Sequence, residues 1–166
     1  MTADAPSLPK YLGIYLNDHL GGSTTGIELV SRIAKAHEGD EIGAVASRLT
    51  EEIRQDRETL LEFMRTLEVS TDQAKVAMGW ISEKVGRLKL NGELREASPL
   101  SPLIELEGLS MGIEGKRLLW VSLLQVDAVA ERLGRERLQE LITRAERQRE
   151  ELEPHRREAA RRAFIP

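Results

Sequence analysis

The chain has 166 residues, of which 31% are charged and 4% are aromatic, and it carries a net charge of −4 and no cysteine. This length suits one domain with a real hydrophobic core, and the composition favours helices with charged outer faces over a β-sandwich. The negative charge argues against a general nucleic-acid binder, and the lack of cysteine excludes disulfides and thiolate metal ligands.

The start of the chain and its hydropathy predict the subcellular location of the protein. The sequence has no run of about 18 apolar residues, so we expect no membrane span. Its start, MTADAPSLPK, has neither a basic beginning nor an apolar stretch, and we expect no secretory signal there. These features predict a cytoplasmic protein with no nucleic-acid and no membrane partner. Residues 1–10 are predicted to form a flexible arm, and residues 11–166 a single helical-bundle domain.

Apolar residues recur every three or four positions in the first part of the chain, as they do on one face of a helix. The first predicted helix covers residues 11–37, and its apolar pattern stays in phase across the weak stretch 21–26, so we expect it to be continuous. The second covers residues 40–67. Asp56 lies in the middle of its apolar stripe, where an aspartate is costly unless another group pairs with it.

The central stretch covers residues 98–124, and its helix is predicted over residues 103–124. A connection from residue 69 to 102 precedes this helix and contains a shorter helix over residues 70–88. One broad face of the central helix is apolar, and the other side carries Gly108, Gly112 and Gly115. Each glycine costs about 1 kcal/mol against alanine inside a helix. We therefore expect this helix to be covered from both sides, with a neighbouring helix passing close to Gly112.

The last helix is predicted over residues 136–164, after a break at Gly134, and Pro154 is expected to bend or shorten it. Arginines and glutamates alternate along it at the i,i+4 spacing of a solvated face, which is unlike a nucleic-acid stripe. By its position on the helix, Arg149 is expected to lie on the apolar side. It is predicted to point into the core.

This order of four long amphipathic helices, with inward acids and a long connection after the second, resembles the ferritin-like superfamily. The resemblance covers residues 11–164. It implies an all-α, antiparallel four-helix bundle with an extra short helix in the crossover between helices two and three.

The same resemblance implies a set of metal ligands, since di-iron members place glutamates on helices one and three and Glu-x-x-His on helices two and four. That motif is not intact here. The inward residues nearest to it are His19, Glu52, Asp56, Glu107 and Glu114. Arg149 stands where the fourth helix would supply a ligand, and a guanidinium repels a bound cation.

Two hypotheses follow. In the first, the protein is a non-catalytic bundle without catalytic residues or a cofactor, and it acts by association through an apolar or glycine-lined helix face; a homo-oligomer is one form that this allows. A buried ion-pair network then replaces the di-iron site, and it is predicted to contain Asp56, Glu114, Arg117 and Arg149.

In the second hypothesis, the protein is a metal-dependent oxidoreductase or a metal store. It binds Fe or Mn through the five candidate ligands, although His19 is more simply read as a hydrogen-bonded core histidine. The two hypotheses differ over Arg149. The first expects this arginine to neutralise the acids, and the second expects a cation to do so.

Overall fold

The structure, a computed structural model, describes residues 10–72 and 98–165, and these residues form helices and no strand. The helices are α1 (Lys10–Ala36), α2 (Glu41–Thr66), α3 (Leu100–Leu124), α4 (Asp127–Leu133) and α5 (Arg135–Phe164). The prediction of an all-α protein is confirmed for this part of the chain. The predicted arm lies outside the described residues except for Lys10, which begins α1. The predicted helix over residues 70–88 also lies outside them, from residue 73 on.

Residues 21–26 and the residues around Pro154, where the sequence leaves a break possible, are both helical. α1 runs without a break through residues 21–26, as the phase of its apolar pattern predicts. α5 continues past Pro154, so of the two effects predicted for this proline, bending or shortening the helix, shortening is wrong. Pro154 and Glu150 are both exposed, and water can therefore hydrate the carbonyl that the proline leaves without an amide donor. The break expected at Gly134 is present, with φ at +88°.

The long helices pack as two pairs, α1 with α2 and α3 with α5. α1 also lies along α3. Three contacts define their alignment: Tyr15 with Ser122, Leu29 with Gly108, and Arg32 with Glu105. The two residue numbers have the same sum in all three contacts, so these helices run antiparallel in one constant register. α2 and α5 approach each other less closely than the helices within each pair.

The apolar core consists of two clusters at opposite ends of the bundle. One contains Leu16, Phe63, Trp120 and Leu138, and the other contains Val30, Leu49, Leu109 and Leu152. On α2 the boundary between them falls at Asp56, and on α3 it falls at Lys116. A layer of polar side chains thus divides the core.

α3 does not have the surroundings that the sequence predicts. Its Met111 and Leu118 are 68% and 48% exposed, so the expectation that this helix is covered from both sides is wrong. A Cβ placed on Gly112 or Gly115 would have no described atom within 4 Å. Among the described residues, therefore, no helix backbone approaches Gly112 as predicted. Among the three glycines of α3, Gly108 alone has a neighbour in the described part of the chain, with Leu29 Cδ2 at 3.5 Å from the added Cβ.

None of the helices in residues 10–72 and 98–165 combines the length and the apolar character needed to cross a membrane.

The surroundings of the glycines predict opposite effects for two alanine substitutions. Gly112→Ala fills open space and improves helix propensity, so it should raise the free energy of unfolding by up to about 1 kcal/mol. Gly43→Ala should lower it by about 1–3 kcal/mol, because the new Cβ would lie 1.9 Å from the carbonyl oxygen of His37. Denaturant titrations of dilute protein measure both changes. A loss of stability in Gly112→Ala would mean that this side of α3 is covered within the chain.

Candidate functional site

Asp56 is the most deeply buried ionisable side chain among the described residues, with 2% of its surface exposed. It lies on α2 between Ile53 and Leu60, one helical turn from each. Two cations reach its carboxylate. Nζ of Lys116 lies 2.5 Å from Oδ2, and Nη1 of Arg144 lies 3.0 Å from Oδ1. Each carboxylate oxygen therefore has its own positively charged donor.

Lys116 projects from the apolar face of α3, between Ile113 and Trp120. Its side chain is 14% exposed. The ammonium donates to Asp56 and, over 2.6 Å, to Oε1 of Gln148. Burial lowers the pKa of this ammonium, and the Asp56 carboxylate partly offsets that effect. Lys116 is therefore held by two protein acceptors inside the bundle.

Gln148 carries the network from Lys116 to a second carboxylate. Its side chain is fully buried, and its Nε2 donates over 2.8 Å to Oε2 of Glu52. Nη2 of Arg147 donates to both oxygens of Glu52 at 2.9 Å. Burial raises the pKa of Glu52, but the hydrogen bonds from Gln148 and Arg147 outweigh this and leave the pKa below its usual value.

These contacts belong to a ladder between α2 and α5. Its outer rungs are Arg48 with Glu151 at 2.6 Å and Glu62 with Arg137 at 2.5 Å. In these two pairs and in Glu52–Arg147, the two residue numbers add up to the same value. α2 and α5 therefore run antiparallel in one register. Asp56–Arg144 is shifted from this register by one residue. We call Glu52, Asp56, Lys116, Arg144, Arg147 and Gln148 the buried network.

The predicted network of Asp56, Glu114, Arg117 and Arg149 does not form as one unit. Glu114 accepts hydrogen bonds from Arg117 at 2.8 and 2.9 Å and from Nη1 of Arg149 at 2.6 Å. These three lie together at the surface between α3 and α5, with the Arg149 side chain 42% exposed. The prediction that Arg149 points inward to meet Asp56 is wrong.

The error in placing Arg149 has a geometric cause. Gln148, one residue earlier, is seven residues after Leu141 and four before Leu152, so it occupies the centre of the apolar face of α5. A step of one residue turns the side chain by about 100°. Arg149 is thereby carried to the edge of the helix, where solvent screens its charge.

The five candidate metal ligands lie in separate places. Glu52 and Asp56 belong to the buried network, whereas Glu114 pairs with arginines at the surface. Glu107 is half exposed, 3.5 Å from Nη1 of Arg156. The ring of His19 packs edge-on against Tyr15 with 4.6 Å between centroids. Burial lowers the pKa of His19, although the nearby Asp18 opposes this.

The described residues therefore do not fit a di-iron centre. Within residues 10–72 and 98–165, no three acidic or histidine side chains form a group suited to a metal ion. The ammonium of Lys116 and the guanidinium of Arg144 already neutralise Asp56, and both would repel a cation brought to that carboxylate. No reaction step through a metal follows from this arrangement.

Four members of the buried network, Lys116, Arg144, Arg147 and Gln148, are not predicted from the sequence. For Lys116 and Gln148, the sequence does contain a signal. Lys116 falls three residues after Ile113 and four before Trp120, and Gln148 falls three after Ala145 and four before Leu152. A polar residue at the centre of an apolar stripe is the same signal that identified Asp56. Arg144 lies at the margin of its helix face and gave no such signal.

The buried network is suited to holding helices together. Lys116 and Arg144 pair with Asp56, and Arg147 pairs with Glu52, so each buried charge has an opposite charge beside it. Comparison with family models, with curated proteins and with solved structures finds no match to this chain.

The pairing in the structure predicts which cation matters for stability. Lys116→Met removes the donor to one oxygen of a buried carboxylate, so it should lower the free energy of unfolding by about 3–5 kcal/mol. Arg149→Met removes a half-exposed partner of Glu114, and the loss should not exceed about 1 kcal/mol. Chemical denaturation of both variants makes the comparison. Equal losses would contradict the assignment of Lys116 as the interior cation.

A second prediction concerns acid. Because the folded pKa of Glu52 is lowered, the unfolded chain binds more protons than the folded chain below about pH 4.5. Stability from Glu52 is present above that pH and is lost as the pH falls through the folded pKa. Glu52→Gln should therefore lose less stability than the parent between about pH 5 and pH 3. Glu140→Gln, at an exposed position of α5, is the control for the loss of one carboxylate. The same sensitivity in Glu52→Gln would contradict the account.

Proposed function

We propose that this protein is a non-catalytic helical bundle of ferritin-like type that acts by association through the outer face of α3. The outer face of α3 consists of Leu100, Ile104, Met111 and Leu118. The observation that carries the proposal is the exposure of large apolar side chains there. Met111 is 68% and Leu118 48% exposed, on the most apolar helix of the bundle.

The outer face of α3 differs from that of α5, the helix that packs beside it. It carries no charged residue from Leu100 to Leu118. α5, by contrast, covers its outer side with ion pairs such as Arg157–Glu153 and Arg161–Glu158, with distances of 2.8 and 2.7 Å. Such pairs keep a helix surface hydrated. A helix that is apolar on nearly all sides is usually covered on nearly all sides.

Burial of the outer face of α3 against a partner is energetically favourable. Moving an exposed Met or Leu side chain fully out of water contributes about 1.5–3 kcal/mol. Single exposed apolar residues are common on protein surfaces, but contiguous apolar patches mark interaction sites. Met111 and Leu118 are two helical turns apart on the same side, with Gly115 between them, so a single partner surface would cover both.

The ferritin-like part of the proposal is supported by the helix arrangement and by the interior charges. α1 runs antiparallel to α3, and α2 runs antiparallel to α5. Glu52 and Asp56 point inward from the second helix, where the di-iron members of that superfamily hold ligands. Lys116 supplies the positive charge at this place, so the acids are neutralised without a metal. This arrangement supports a binding protein in preference to a metal enzyme.

Site-specific photo-crosslinking tests the association. A photoreactive phenylalanine derivative placed at Met111 or at Leu118 should give one discrete adduct in the cells that naturally make this protein. The same residue at Ser47 or Gln139, which are exposed on α2 and α5, is the matched control and should give none. If the outer face of α3 gives no adduct, or if the control positions give the same adducts, the proposed function is wrong.

A further inference from the structure

The long helices of the bundle are held together unequally on its different sides. α1 packs closely on α2, and α3 packs closely on α5, whereas α2 and α5 stay further apart. Long side chains bridge the space between α2 and α5. They form four carboxylate–guanidinium pairs, which are Arg48–Glu151, Glu52–Arg147, Asp56–Arg144 and Glu62–Arg137. We call this side of the bundle the α2–α5 seam.

The outer pairs of the α2–α5 seam fix its register but contribute little to its strength. The side chains of Arg48, Arg137 and Arg147 are all about half exposed. Ion pairs that are exposed to this degree stabilise a protein only slightly, because water solvates both partners when they separate. These three pairs therefore oppose an outward movement of α2 only weakly.

The buried pair of Asp56 and Lys116 opposes sliding of the helices more than it opposes opening of the α2–α5 seam. A slide along the helix axes would leave both charges in the core without partners, which is strongly unfavourable. An outward movement of α2 would instead admit water to both charges. The hydration that the two groups regain would then offset much of the attraction that they lose.

The opposite side of the bundle, between α1 and α3, has the character of a hinge. Leu29 packs against Gly108, and the hydroxyl of Tyr15 donates to Oγ of Ser122 over 3.3 Å. From residue 20 to residue 27, α1 has no ionisable side chain. These two helices can therefore turn against each other while small and apolar groups stay in contact.

Each pair of helices is suited to move as one body. A turn of residues 37–40 joins α1 to α2, and a Cβ on Gly43 would lie 1.9 Å from the carbonyl oxygen of His37. This turn is therefore packed tightly against the start of α2. In the other pair, Arg149 of α5 binds Glu114 of α3 at 2.6 Å, in addition to the close packing of these two helices.

We propose that the bundle opens along the α2–α5 seam, by an outward swing of the α1–α2 pair about its contact with α3. Both pairs stay helical in this movement. The opening admits water to Lys116 and Gln148 and uncovers the inner faces of α2 and α5. The protein thereby has a second conformation with an accessible interior. This inference is independent of any partner on the outer face of α3.

Pairs of spin labels measure the opening in the 166-residue chain, which has no cysteine of its own. Labels at Gln55→Cys and Thr143→Cys, two exposed positions of α2 and α5, span the α2–α5 seam. At denaturant concentrations below the global unfolding transition, we expect a second, longer distance for this pair in about a tenth of the molecules. The circular dichroism of the helices should be unchanged at these concentrations.

Two control pairs of labels distinguish opening from unfolding. Asp18→Cys with Glu58→Cys spans α1 and α2, and Glu28→Cys with Met111→Cys spans α1 and α3. Both pairs should keep one short distance until the chain unfolds globally. If all three pairs separate together, and together with the loss of helix, the bundle unfolds in one cooperative step and the inference is overturned.

Substitution of the buried cation tests the same movement without denaturant. Lys116→Met leaves Asp56 with one cation in the closed form, whereas in the open form water solvates the carboxylate. The ratio of open to closed molecules should therefore rise about a hundredfold, with the helical signal and the distance between Asp18→Cys and Glu58→Cys kept. Arg149→Met removes a surface cation away from the α2–α5 seam and should leave the ratio unchanged.

The double change of Asp56→Leu with Lys116→Met removes both buried charges and should close the α2–α5 seam again. Apolar side chains at these positions regain no hydration on opening, so they favour the closed form. An open form that persists in the double variant would contradict the inference. So would a Lys116→Met variant that loses its helical signal instead of opening.

Discussion

An ionised carboxylate in the middle of an apolar core requires opposite charge beside it, and Asp56 sets this requirement for the bundle. The ammonium of Lys116 meets it from α3, and the guanidinium of Arg144 meets it from α5. Burying that ammonium requires acceptors in turn, which brings in Gln148 and, through it, Glu52. Three helices are thereby tied at one level by groups that are costly to separate.

The buried network fixes how the helices are aligned along their axes. Apolar side chains contribute stability without much direction, so two helices lined with leucine can slide past each other by a turn at modest cost. The buried network cannot slide, because a shift of one turn would leave Asp56 and Lys116 without their partners. Its position between the two apolar clusters fixes how the α1–α2 pair meets the α3–α5 pair. The ladder from Arg48 to Arg137 extends the same alignment along the surface.

The sequence predicts the helices well and the contacts between them poorly. Periodicity places the ends of α2 and of α5 within one residue of the structure, because each helix repeats its own apolar stripe. It identifies Asp56 as a buried acid for the same reason. It does not identify the partner of Asp56, since that depends on which helices are neighbours and at what level. The expectation that Gly112 is covered fails in the same way: the surroundings of a glycine come from other parts of the chain, or from another molecule.

The alignment of the helices depends most directly on Asp56 and Lys116 acting as a pair. A double-mutant cycle on Asp56→Leu and Lys116→Met, followed by denaturant unfolding, measures their coupling free energy directly. The account predicts a coupling of about 1–3 kcal/mol for this pair and close to zero for the matched cycle of Asp56→Leu with Arg149→Met. Additive losses for Asp56 and Lys116, or a larger coupling between Asp56 and Arg149, would contradict it.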